Sequence, residues 1–281
     1  SFSGRWQDRP DLERTVIRSV YALAAALLVA SLSLWKGLFA HDFNIEYVAA
    51  YTSRNLPTYY IVSAFWAGQK GSLLFWAVVL ACFSAVAPWI TARRYADLLP
   101  YVAGVTNIVV VFFVLVMIFA ANPFERLNFI PEDGRGLNPQ LQNIGMVMHP
   151  PMLYLGYISV TIPFAFAIAA LLRRRLDSGW IVAIRKWTLG SWVFLSIGIV
   201  LGMWWAYVEL GWGGYWAWDP VENASFLPWL TMTAFLHSVM IQEKRGMLKR
   251  WNLSLIVATF LLSIFGTFIT RSGVIASVHS F

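Results

Sequence analysis

The chain has 281 residues, 59% of them hydrophobic and only 12% charged, with a formal net charge of +7 and a mean hydropathy of +0.62. That balance excludes an ordinary soluble domain, which carries about 25% charged residues. A single cysteine, Cys82, with no CxxC or CxxCH spacing, excludes a disulfide framework and attachment of haem to this chain.

Seven apolar runs can be read in chain order, at about 16–40, 68–91, 100–121, 149–172, 187–207, 220–242 and 252–270. Each reaches the roughly 20 residues that a helix needs to cross a bilayer. Period-two alternation is absent, so the runs predict helices and not a barrel. The expected fold is an all-α polytopic transmembrane bundle, one membrane domain over 1–281, with a Trp-rich segment at 204–229. Basic residues orient it. Arg5, Arg9, Arg14, Arg18, Arg93, Arg94, Arg173, Arg174, Arg175, Arg185, Lys186, Lys244, Arg245, Lys249 and Arg250 flank one side, fifteen of the 21. Lys36, Arg54, Lys70, Arg126, Arg135 and Arg271 flank the other. The first side is cytoplasmic, and the loops 41–67, 122–148 and 208–219 and the tail from 271 face out. This placement accounts for the positive charge without nucleic acid.

The first run ends at His41 beside Asp42, read as a solvated interfacial pair. The fourth begins in MHPPMLYLGY, where Pro150 and Pro151 suit a first helical turn. His149 is therefore expected just before the helix, at the outer mouth. The fifth and sixth runs are joined by GWGGYWAWDPVEN. Asp219, Pro220 and Glu222 read there as N-cap, N1 and N3 of the next helix, with Gly211, Gly213 and Gly214 allowing a tight loop. Asp219 or Glu222 could also move a proton, but capping explains both more simply. Trp204, Trp205, Tyr207, Trp212, Tyr215, Trp216, Trp218, Phe226 and Trp229 fall within 26 residues. An interfacial aromatic belt is one reading; a platform for a planar apolar ligand is the other.

His237 lies within the sixth run, about 27 Å along the helix from its cap at about 1.5 Å per residue. An intramembrane histidine is costly and points to function, although a hydrogen bond to a neighbouring helix would also hold it. His279 follows the seventh run on the outer side. His149 and His279 thus bracket the Trp loop on one side of the membrane. Two imidazoles over an aromatic floor suit an iron porphyrin, and Arg126, Arg135 and Arg271 are outer cations for its propionates. A lone interfacial histidine is ordinarily a solvated side chain, and spacing alone leaves that reading ahead.

The motifs ANPFERL, DGRGLNPQLQNIGMVMHPPMLYLGY, LGMWWAYVELGWGGYWAWDPVENASFLPWL, HSVMIQEKR and FGTFITRSGVIASVHSF run through most of the chain. On them the chain resembles the CcmF-type cytochrome c haem lyases, including NrfE-type relatives, of the haem-handling superfamily with a WWD domain. The resemblance implies that His149 and His279 ligate haem at the outer face, over Trp212, Trp216 and Trp218, with Asp219 and Arg271 close by. It implies that His237 is one ligand of an inner haem b, whose second ligand comes from a later helix, and that the chain is a fragment of a longer protein. It implies a bacterial inner-membrane enzyme, a holocytochrome c synthase facing the periplasm. Its partners would be a CcmE-type haem chaperone, a CcmH-type thiol partner, apocytochrome c and quinol, within the lipid bilayer. Haem vinyl groups would take up the thiols of a CxxCH segment. The alternatives are a CcmC-type haem export protein that forms no bond, and a cytochrome b-like quinol electron carrier.

Overall fold

A computed structural model of the chain describes residues 10–174, 179–209, 211, 214–277 and 279. Arg5, Arg9, Arg175, Trp212 and Gly213, named above, lie outside the described residues. In chain order the helices are α1 (Pro10–Phe39), α2 (Glu46–Tyr51), α3 (Thr58–Ala67), α4 (Gln69–Tyr95) and α5 (Leu99–Phe119). They continue with α6 (Ile144–Ser159), α7 (Thr161–Leu172), α8 (Gly179–Glu209), α9 (Pro220–Arg245) and α10 (Lys249–Arg271). The fold is all-α, and among the described residues β structure is confined to one bridge between Ile45 and Arg126.

Among the described residues seven helical segments are long and apolar enough to cross a bilayer, α6 and α7 forming one of them together. The chain is a multi-pass membrane protein, as the seven runs predict. Alternation of the spans brings the C-terminal ends of α1, α5, α8 and α10 together with the N-terminal ends of α4, α6 and α9. The site lies at this end, hereafter the loop end.

Two departures from expectation bear on the site. Residues 41–67 hold α2 and α3 instead of irregular loop. The fourth span starts at Ile144, five residues early, because the Asn143 side chain caps it by accepting from Gly145 N at 2.8 Å. His149 is therefore inside the helix, not before it, and Pro150 and Pro151 are interior prolines. Pro150 cannot donate to the carbonyl of Met146 four residues back. The Trp66 indole N–H donates to that carbonyl instead, at 3.1 Å, so a tertiary contact replaces the missing helical bond.

Close approach of α6 and α8 depends on small residues, as is usual between helices in lipid. A Cβ at Gly156 would lie 2.7 Å from the Leu195 backbone, and one at Gly198 would lie 2.8 Å from Leu153 N. Ser159 and Ser191 meet across the same seam at 2.7 Å. At the opposite end of the bundle α9 and α10 are joined by a buried amide network, in which Asn252 donates to Gln242 Oε1 at 2.7 Å.

The loop end is tied down by charge. Lys70 Nζ lies 2.7 Å from both Glu46 and Glu125, and the Glu46 backbone N–H donates to Glu125 O at 2.8 Å. The Lys70 ammonium holds the Glu125 carboxyl below its usual range. A lowered folded-state pKa means that the tie is complete above the ordinary glutamate value of about 4.3 and is lost as pH falls through the lowered value. Hydrogen exchange at the Glu46 and Leu127 amides, corrected for intrinsic rate, should accelerate on acidification only below that range. Acceleration already near neutral pH would show that the carboxylates do not hold the loops.

Candidate functional site

His149 sits on the second turn of α6, facing α8. Its Nδ1 lies 2.7 Å from Gly198 O. A carbonyl only accepts, so Nδ1 carries the proton and the lone pair is on Nε2. The ring rests on α8 where Gly202 leaves room: a Cβ there would meet His149 Cε1 at 2.5 Å. The Trp205 ring stands beside it, centroids 6.0 Å apart.

His279 is held by a second device, built on Asp219. The expected capping box is present: Asp219 Oδ2 accepts from Val221 N at 3.0 Å, and Glu222 Oε2 accepts from Asp219 N at 3.1 Å. The same Asp219 oxygen accepts from Ser277 Oγ at 2.6 Å and lies 3.0 Å from His279 Nδ1. Ser277 Oγ in turn accepts from the His279 backbone N–H at 2.9 Å. Asp219 is only 8% exposed. One carboxylate thus starts α9 and orients the imidazole of the tail, with Nδ1 donating and the lone pair again on Nε2.

Both histidines line one cavity of about 330 Å³, at the lower end of the range for small-molecule sites. They also line an adjoining lobe of about 40 Å³ with Trp216 and Glu222. Among the described residues no three His, Cys, Asp or Glu side chains converge. A pair of imidazoles is a donor type that holds haem iron in known haem proteins.

The aromatic cluster divides. Trp216 reaches the histidine lobe, and Trp205, 3% exposed, lines both cavities. Trp218 does not reach the histidines. It is 68% exposed and, with Trp216, Phe226 and Trp229, lines a separate apolar groove of about 430 Å³ between α8 and α9. Its φ of +58° is unusual for a bulky residue, and Asn223 Nδ2 holds its carbonyl at 3.0 Å. Tyr207 and Tyr215 stack on each other at 4.5 Å and both are exposed, and Tyr215 also lines the histidine lobe.

Of the three outer cations considered, Arg271 lines the main cavity. Arg126 is in the bridge with Ile45, and Arg135 donates its backbone N–H to Ala49 O at 2.7 Å; neither lines the cavity. His237 is exposed on the surface of α9, its Nδ1 2.8 Å from Thr233 O, well away from the cavity. His41 is not the simple solvated side chain expected: its Nδ1 is buried without a hydrogen-bond partner, and it too is outside the cavity.

The model of a protein family described as cytochrome C assembly protein matches residues 66–275. The chain belongs to the cytochrome c assembly protein family. Members similar to it include the cytochrome c-type biogenesis protein CcmF of Haemophilus influenzae, 46% identical over 262 residues, covering 93% of this chain and 40% of that protein. CcmF of Pseudomonas aeruginosa is 51% identical over 241 residues, covering 85% of this chain and 37% of the relative. A solved structure titled cytochrome c heme lyase CcmF superposes with a TM-score of 0.81 at 38% identity, covering 95% of this chain and 43% of that one. The chain therefore spans about two-fifths of the length of these family members.

Within this family fold, sequence reasoning missed four participants. Gly198 and Gly202 seat His149, and their signal was present as a small-xxx-small pair in GIVLG. Tyr154 and Trp76 line the main cavity, but nothing in their local sequence separates them from other span aromatics.

Proposed function

We propose that this chain carries the outer haem-handling site of a cytochrome c haem lyase, with haem as the substrate held between Nε2 of His149 and Nε2 of His279. The observation that carries the reading is that both imidazoles line one cavity and each is tied through Nδ1 to an acceptor. An anchored Nδ1 fixes ring and tautomer and makes the other nitrogen a better ligand. Trp205 and Trp216 supply the apolar wall.

The reaction proposed is addition: each thiol S–H of a CxxCH segment adds across a haem vinyl group, forming a thioether with no atom lost. This chain's residues contribute orientation, which can be worth several kcal/mol when two reactants are held in register. Its partners in this reading are a CcmE-type haem chaperone, a CcmH-type thiol partner and apocytochrome c, on the periplasmic side of a bacterial inner membrane. His237 offers one axial imidazole for an inner haem b reduced by quinol; among the described residues the other histidines are at the loop end. Glu222 and Asp219 are assigned to capping and orientation, not proton transfer.

The test is the His149→Ala His279→Ala double variant, followed by haem absorbance and by thioether formation with purified apocytochrome c. The expected result is loss of the outer haem and of product, with any remaining spectrum abolished by His237→Ala. Undiminished product from the double variant would overturn the proposal.

A further inference from the structure

Two chemically different lobes are both lined by the histidines. The smaller lobe places Trp216, Ile199 and Met203 beside them, with Glu222, whose carboxylate is taken up by the backbone N–H groups of Ala217 and Asp219. The larger lobe, towards α4 and α10, holds Arg271, Tyr154, Gln69 and Trp76. Arg271 donates from Nη2 and Nε to the Tyr154 hydroxyl, at 2.8 and 3.2 Å. A phenol is neutral, and the guanidinium keeps further N–H donors. Among the described residues no carboxylate is within ion-pairing distance of it. The acids nearby are engaged: Glu46 and Glu125 with Lys70, Asp219 with His279. The Gln69 side chain also grips the Arg271 carbonyl.

A half-buried cation without an anion is costly, and that cost is relieved by one kind of ligand group, a carboxylate.

We infer that Arg271, positioned by Tyr154, is the carboxylate-binding pole of this cavity and sets the orientation of the bound macrocycle. Haem carries both propionates on one edge and its vinyl groups away from it. Anchoring the propionates at Arg271 turns the vinyl-bearing edge towards Trp216, so thiols have to approach from the α8–α9 side. This rests on the outer-haem reading above.

The experiment is titration of the detergent-solubilised protein with ferric haem and with its dimethyl ester, which has the same iron and ring but no carboxylates. Wild type should prefer the diacid by about 10- to 100-fold, the range of a charge-assisted contact. Arg271→Gln should lower diacid affinity to that of the ester and leave ester affinity unchanged. Tyr154→Phe should narrow the preference several-fold, again without changing ester affinity. A merely structural role for these residues would weaken both ligands together. Equal binding of diacid and ester by wild type, or a preference that survives Arg271→Gln, overturns the anchor while the haem reading stands. Failure of wild type to bind either ligand removes both.

Discussion

Replacing Gly202 with Ala should dislodge His149 and weaken haem binding at the outer site by about 10- to 100-fold, the range for loss of an outer-shell orienting contact. The added methyl would lie 2.5 Å from His149 Cε1 and 2.9 Å from Nδ1. The ring cannot stay there and keep its bond to Gly198 O. Overpacking of this kind costs roughly 1–3 kcal/mol, so a lower melting temperature should accompany the loss. Gly190→Ala is the matched control in the same helix: a Cβ there meets nothing within 4 Å. Alanine is the better helix former by roughly 0.5–1 kcal/mol, so that variant should bind haem normally and melt no earlier than wild type. If Gly202→Ala binds haem as tightly as Gly190→Ala does, the close seat of His149 on α8 is immaterial.

The second large effect is expected at Asp219, where stability and binding should separate. Asp219→Ala removes the N-cap of α9, worth about 1 kcal/mol, together with the acceptor for Ser277 and His279. Asp219→Asn keeps a good cap, since Asn and Asp are equivalent at that position. It loses the negative charge on the one oxygen that faces Val221 N, Ser277 Oγ and His279 Nδ1, and a neutral amide oxygen is the weaker acceptor. Both variants should weaken haem binding about 10- to 100-fold, while only the alanine variant should melt measurably earlier. Thermal unfolding and haem titration of the two proteins side by side decide it. An asparagine variant with full haem affinity would reduce Asp219 to a helix cap.

Much of this architecture was legible before any coordinates. The seven spans follow from uninterrupted apolar runs, because lipid forces each such run to satisfy its own backbone as a helix. The start of α9 follows from Asp219, Pro220 and Glu222, because a cap is a contact among neighbours in the chain. The start of α6 was misplaced although its signal, Asn143 two residues before Gly145, was in plain sight. Two adjacent prolines outweighed it, since they usually open a helix. Here Trp66 reaches across from α3 to serve the carbonyl that Pro150 abandons, and no local rule foresees that donor.

The candidate site divides along the same line. Composition, run length, charge asymmetry and motif spacing determined a multi-pass helical protein with two histidines and a Trp loop on one side, because each depends on residues close in sequence. Only the tertiary structure decided that Arg271, and not Arg126 or Arg135, lines the cavity, that Trp216 faces it and Trp218 does not, and that one carboxylate holds His279 across 60 residues of chain. These choices depend on how closely α6, α8 and α10 approach one another. That approach is set by glycine-sized gaps and single hydrogen bonds between distant segments, which no periodicity encodes.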